Sequence, residues 1–260
     1  MSRGAVIERS APGIVAVTAG LAALAFVASL ALGPEGWGLP SDASAAQMIL
    51  REIRLPRAVL GWLIGAALGL SGAVLQGYLR NPLAEPGLLG ISGGAALGAV
   101  TAIHSGVAGT IAVALPAAGL LGAALATIAI VALAGAGGST TTLILAGVAV
   151  SSIAGALTSL ALNLSPNPFA STEILFWLMG SLTDRSLLHV WLAAPLIVLG
   201  VAVLMTSGRD LEALTLGEEA ARNLGVDLRV LRFKVIAGSA LAVGAAAAVA
   251  GAIAFVGLIV

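Results

Sequence analysis

Seven long stretches of this sequence, at roughly 12–33, 57–79, 88–104, 107–134, 140–163, 186–207 and 230–251, are apolar, and their few charges stand near their ends. About 20 apolar residues of α-helix cross the hydrocarbon core of a bilayer, where water is absent and the backbone must satisfy its own polar groups. A soluble fold built from these stretches would need charge on its outer face. Only 9% of the 260 residues are charged, against about a quarter in an ordinary globular domain. The pattern predicts an all-α integral membrane protein, a multi-span helical bundle forming one domain over residues 1–260. The thinnest division is the short His104-Ser105-Gly106 stretch between the third and fourth spans.

Several function classes drop out. Twelve acidic residues balance twelve basic ones, so no bulk attraction to nucleic acid is expected. Cysteine is absent, which excludes disulfides, thiolate metal sites and cysteine nucleophiles, and two histidines, His104 and His189, make a poor metal cage. No cofactor or resident metal is expected on the chain. The 34 glycines lie almost entirely within apolar stretches, as expected where small residues let membrane helices approach closely.

Residues 1–33 are read as a retained first span. The small-residue pattern Ala43-Ser44-Ala45 lies about ten residues beyond an apolar run that is itself too long for a signal peptide. With the N-terminus in the cytoplasm, the inner basic set is Arg3, Arg9, Arg80, Arg209, Arg222, Arg229, Arg232 and Lys234, and the outer set is Arg51, Arg54, Arg57 and Arg185. Eight against four supports that orientation. The outer cluster Arg51, Arg54 and Arg57 runs against the trend and needs its own explanation.

Two segments are neither spans nor plain loops. Residues 168–182 read as a short helix, with Asn167 as N-cap and Pro168 in its first turn, too short to cross a membrane. Residues 208–229 hold the densest charge and form the largest cytoplasmic loop. Within it, Leu216, Ala220 and Leu224 recur at helical spacing, Glu218 and Arg222 form an i,i+4 pair, and Gly217 and Gly225 punctuate the two ends. So short a helix is marginal alone in water and is expected to lie against the membrane or a partner. The run Gly251 to Val260 is apolar to its last residue, so the sequence reads as stopping at the start of an eighth span.

Inside the spans, Gly61, Gly65, Gly69, Gly72 and Gln76 share one helical stripe, read as a close-packing face with one amide on the protein side. Asn81-Pro82-Leu83-Ala84-Glu85-Pro86-Gly87 is a stiff turn bracketed by two prolines. A second stripe holds Gly147, Ser151, Gly155 and Thr158, either a packing seam or a wall of a polar pathway. Gly135-Ala136-Gly137-Gly138-Ser139-Thr140 imitates a phosphate loop but lacks its lysine and follows a membrane helix, so the chain itself is not expected to bind ATP. Ionisable groups are missing from the span interiors, unlike many ion-coupled carriers.

Taken in order, Arg54-Leu55-Pro56-Arg57, Gly65-Ala66, Ser71-Gly72-Ala73, Gln76 and the run Asn81-Pro82-Leu83-Ala84-Glu85-Pro86-Gly87-Leu88-Leu89-Gly90 resemble the FecCD/BtuC family. These are permease subunits of type II ATP-binding-cassette importers for ferric siderophores, haem and cobalamin. Trp177-Leu178-Met179-Gly180-Ser181-Leu182, Leu216-Gly217 with Ala220 and Leu224-Gly225-Val226, and Phe255-Val256-Gly257-Leu258-Ile259-Val260 match further elements, so the likeness covers roughly residues 50–260. It implies ten helices per subunit, of which about seven and the start of an eighth are present, and a BtuC-like bundle working as a homodimer or close heterodimer. It implies an ATPase subunit seated on Leu216, Gly217, Glu218, Ala220, Arg222, Leu224 and Gly225, with hydrolysis on that subunit and not on this chain. A periplasmic or lipid-anchored solute-binding protein would meet Arg54 and Arg57. Pathway and gate roles fall on Gln76, Asn81, Pro82, Leu83, Thr141, Thr142, Gly147 and Ser151. The expected cargo is a ferric siderophore, then haem, then cobalamin. The rival readings are an ion-coupled secondary transporter and a truncated bundle that does not transport.

Overall fold

The computed structural model describes residues 3–33, 36–38, 40–111, 113–135, 139–165, 167–253 and 256–258, with side chains from residue 13 onward. It is a bundle of helices with one very small hairpin. In order these are α1 (Arg3–Ala31), the hairpin of β1 (Leu32–Gly33) and β2 (Gly36–Trp37), α2 (Ala43–Met48), α3 (Leu55–Leu79), α4 (Ile91–His104) and α5 (Ala114–Ala134). Then follow α6 (Thr140–Asn163), α7 (Pro168–Met179), α8 (Leu187–Met205), α9 (Gly208–Leu214), α10 (Glu218–Asn223) and α11 (Leu228–Ala250). Short 3-10 turns stand at Pro86–Leu89, Val107–Gly109 and Val256–Leu258.

Six of the seven expected spans are helices long and apolar enough to cross a membrane, among the described residues. The seventh, α4, has 14 residues, about 21 Å at 1.5 Å each. It lies deep in the bundle, with Ala95, Ala99 and Val100 fully enclosed, and the turn Pro86–Leu89, buried at Pro86 and Leu89, leads into it. The fourth expected span begins later than the sequence implied, at Ala114, because residues 107–109 form a separate turn.

The largest departure lies between residues 43 and 57, expected as an outer loop. Ala43–Leu79 is instead one continuous apolar helix of 37 residues. Asp42 starts it, its carboxylate accepting hydrogen bonds from the Ser44 and Ala45 amides at 3.4 and 3.1 Å. Between α2 and α3 the helix widens into a π-helical segment, Ile49–Arg54, where the Leu55 amide reaches back to the Leu50 carbonyl. The wider turn precedes Pro56, whose ring crowds the carbonyl four residues earlier and which donates no hydrogen bond.

The interior is organised around α11. Every residue from Ala242 to Ala250 is buried, against α8, α5, α3 and α4. Six of those nine are Ala, so neighbouring backbones close in from several sides. The tightest seam joins α4 to α5: a Cβ on Gly122 would collide with the Gly94 carbonyl, and one on Gly98 with the Ala118 carbonyl. Likewise a Cβ on Gly200 of α8 would stand 2.6 Å from the Ala242 amide of α11.

The glycine stripe on α3 behaves differently from its expected packing role. Gly72 is pressed against the Gly257 backbone, whereas Gly61 meets Leu182 at an ordinary 3.6 Å and Gly65 has nothing within 4 Å. Gly69 is half-buried. The face that α3 turns inward carries Leu60, Ile64, Ala67, Leu68, Ser71 and Leu75 instead, and burying those side chains removes far more apolar surface than burying glycines.

Candidate functional site

Two ends of the bundle carry the polar features. One holds Arg80, α9, α10 and the start of α11. Here α9 and α10 form a compact platform. Leu214 and Ala221 are 3% and 0% exposed and join the core formed with Leu231 and Val235 of α11. Lys234 Nζ lies 2.9 Å from Asp210 Oδ2, and a longer bond to the Thr206 carbonyl at 3.4 Å ties α9 and the end of α8 to α11. Asp227 caps α11, accepting from the Arg229 and Val230 amides.

The expected coupling residues all lie on this platform. Gly217 and Gly225 have φ of +105° and +88°, conformations in which an L side chain is strained. Gly225 closes α10: its amide bonds the Arg222 carbonyl, and the Val226 amide reaches the Ala221 carbonyl. Glu218 and Arg222 form the anticipated pair at 3.6 Å. The geometry corrects one detail. The helix runs only over Glu218–Asn223, and Ala221, rather than Ala220, is its buried position. Leu216 and Leu224 flank it, 69% and 65% exposed, so two leucines face outward on an anchored element.

The expected gate residues divide. Asn81 Oδ1 accepts from the Leu83 amide at 2.9 Å, fixing a turn in which Asn81, Pro82 and Leu83 are exposed, Leu83 at 70%. Past it the chain dives inward, with Ala84, Pro86 and Leu89 buried. Gly147 receives the carbonyl of Leu88, and a Cβ on Gly90 would stand 2.9 Å from the Gly147 carbonyl and 3.0 Å from Ser151 Oγ. Gly147 and Ser151 therefore pack closely against this loop, whereas Gly155 of the same stripe is exposed with nothing within 4 Å. Gln76 is likewise engaged within the chain, donating to the Gly257 carbonyl at 3.3 Å. Thr142 belongs to the cap of α6, with its amide 3.2 Å from Ser139 Oγ, while Thr141 is exposed. Ala136, Gly137 and Gly138 of the glycine-rich turn, and Phe255, Ile259 and Val260 of the terminal motif, lie outside the described residues.

At the opposite end stand α2, the hairpin and α7. Asn167 caps α7 as expected, accepting from the Ala170 amide at 2.9 Å, and the helix stops at Gly180. Its buried side, Ala170, Ile174 and Trp177, packs with Ala96, Val100 and Ile103 of α4. The Ser181 amide bonds the Ala250 carbonyl at 2.7 Å, joining the end of α7 to that of α11. Burial draws the Arg185 guanidinium below its ordinary pKa, with Asp184 acting in the opposite sense.

Arg54 is the clear correction here. Expected to face an external partner, it is 6% exposed, and its Nη1 donates to the Leu30 and Ala31 carbonyls at 2.9 Å each. It caps the C-terminus of α1, where orphan carbonyls and the negative end of the helix dipole favour a cation. Gly33 lies so close to the guanidinium that a side chain there would collide with it. Arg57 is half-buried and Arg51 exposed, so within this arginine cluster the outward-facing charge belongs to them. Sequence reasoning also missed the Gly94/Gly98 seam, although its four-residue spacing of small residues was visible.

Comparison with known proteins adds an independent line. The FecCD transport family matches residues 13–260. The chain is 39% identical over 259 residues to the cobalamin import system permease protein BtuC of Halobacterium salinarum, covering 99% of this chain and 68% of that protein. It is 39% identical over 236 residues to the ABC transporter permease protein YvrB of Bacillus subtilis, covering 86% of this chain and 65% of that one. It is 38% identical over 242 residues to the vitamin B12 import system permease protein BtuC of Salmonella typhimurium, covering 92% and 73%. A solved structure described as an inward-facing conformation of a metal-chelate type ABC transporter superposes with a TM-score of 0.86 at 31% identity, covering 95% of this chain and 79% of that one.

Proposed function

The chain belongs to the FecCD transport family and is a multi-pass membrane permease, and from that premise we propose that it carries a large metal chelate inward as a subunit of an ATP-binding-cassette importer. The observation that carries the proposal is the platform of α9 and α10. It is fastened to the core through Leu214, Ala221 and the Lys234–Asp210 pair, yet presents Leu216 and Leu224 to solvent. Apolar side chains held outward on a rigid base suit a partner's groove. An ATPase subunit docked there would push on α8 and α11 together, and the spans would alternate between two packings.

The remaining assignments follow the same reading. The platform faces the cytoplasm, as does the N-terminus. A solute-binding protein meets the outer end at Arg51 and Arg57, and a second permease subunit completes the pathway. Sequence reasoning put ferric siderophores first among cargoes. The names of two relatives, cobalamin and vitamin B12 import permeases, move cobalamin to the front, and metal chelate is the class that contains all three.

The test is reconstitution of the chain in liposomes with a candidate ATPase subunit and binding protein, following uptake of radiolabelled cobalamin and of a ferric siderophore. Uptake that requires ATP, and ATPase activity that falls several-fold in Leu216→Ser and Leu224→Ser, supports the proposal. Uptake that follows a proton or sodium gradient without ATP assigns an ion-coupled carrier. Failure of the ATPase to co-purify with the unaltered chain removes the coupling assignment.

A further inference from the structure

At the platform end, a recess of about 370 Å³ opens between α10 and the bundle. Four arginines from three separate places line it: Arg80 just after α3, Arg222 of α10, and Arg229 and Arg232 of the first turns of α11. Its one carboxylate is Glu218, already paired with Arg222 at 3.6 Å. Four cations against one anion leave the lining with three net positive charges. Arg80 holds a left-handed backbone conformation, φ +49°, which L residues seldom adopt. Closure of α3, with the Asn81 amide on the Gln76 carbonyl, maintains it. Ser139 and Thr140, at the positive end of the 24-residue helix α6, complete the polar wall. Leu216 and Leu224 do not line the recess, so it is separate from the outward-facing leucines.

Like charges gathered in one concavity repel each other, and an anion entering it relieves that repulsion while meeting forked donors shaped for phosphate oxygens. The recess lies level with the ends of α3, α6 and α11, three membrane spans, which is the depth of lipid headgroups. We propose that this recess is a phosphate-binding site, filled by the headgroup of an anionic lipid or by free phosphate. A phosphate there bridges α10 to α3 and α11 and stiffens the platform.

The experiment follows thermal unfolding of the full chain in neutral detergent while phosphatidylglycerol, phosphatidylcholine or inorganic phosphate is titrated in. Saturable protection by phosphatidylglycerol and not by phosphatidylcholine is the expected result. Competition by inorganic phosphate identifies the phosphate group as the feature recognised, and protection by inorganic phosphate alone assigns the free anion. Arg80→Gln with Arg229→Gln should weaken the apparent affinity by about tenfold or more, as loss of charged hydrogen bonds does. Arg51→Gln with Arg57→Gln, at the other end, should leave it unchanged. The single exposed change Arg229→Gln gives the same readout, with a smaller loss, should the double change disturb folding. Protection that is equal in all variants, equal with phosphatidylcholine, or absent with every probe overturns the proposal.

Discussion

The seam between α4 and α5 lets steric crowding be separated from backbone flexibility in one pair of substitutions. A Cβ on Gly122 would meet the Gly94 carbonyl, with the Gly94 carbonyl carbon and the Gly98 amide nitrogen both 3.0 Å away. All of these are backbone atoms, so nothing can rotate aside and the helices must part by about 1 Å, an overpacking at the upper end of the usual range, about 2–3 kcal/mol. Alanine returns about 1 kcal/mol of helix propensity relative to glycine. The balance for Gly122→Ala is a loss of about 1–2 kcal/mol. At Gly155 of α6 a Cβ meets nothing within 4 Å, so Gly155→Ala keeps only the propensity gain and should stabilise by about 0.5–1 kcal/mol. With about 2–4 °C per kcal/mol for a chain of this size, the two Tm shifts are about 2–8 °C downward and 1–4 °C upward. Tryptophan fluorescence in detergent, read during a thermal ramp, measures both. A Gly122→Ala protein as stable as the parent refutes the packing argument. Equal losses at both sites would mean that glycine flexibility, not close approach, sustains the fold.

Three further outcomes are expected. Arg54→Gln removes a charged donor from two carbonyls at the end of α1 and should cost about 2 kcal/mol, seen as faster hydrogen exchange over residues 28–33 with α3 and α11 unaffected; uniform exchange would refute the clamp. Lys234→Met should loosen α9 by about 1 kcal/mol, and Asp210→Asn should add little to it in a double-mutant cycle. The Asp42 carboxyl is held below its ordinary pKa of 3.8, first by the Ser44 hydroxyl and then by the Ala45 and Ser44 amides. A depressed folded pKa contributes stability above the unfolded value and loses it as pH falls through the folded one. Protection of the Ser44 and Ala45 amides should therefore fall as pH drops below about 4, and Asp42→Asn should abolish that dependence.

What could be read from the sequence was local. The cap of α7 needed only Asn167 followed by Pro168, and the ends of α10 needed only Gly217 and Gly225, whose positive φ values explain the choice of residue. Spans α5, α6, α8 and α11 followed from apolar length alone. Other features depend on partners distant in the chain. Arg54 meets carbonyls 23 and 24 residues earlier, and its inward aim depends on a widened turn whose only local signal is Pro56. Gln76 meets a carbonyl 181 residues away, which helical periodicity cannot reveal. Glycines usually mark close approach, yet along α3 the larger side chains of the neighbouring face take the interior. Composition distinguishes lipid from water more easily than it distinguishes one protein neighbour from another, because most helix faces here are apolar.

One joint governs how motion would travel. With Asp210 bonded to Lys234 and Ala221 sunk among the side chains of α11, the stretch that carries Leu216 and Leu224 has no slack. A displacement imposed at its surface would be handed to the foot of α11, whose enclosed small residues pack against α3, α4, α5 and α8 together.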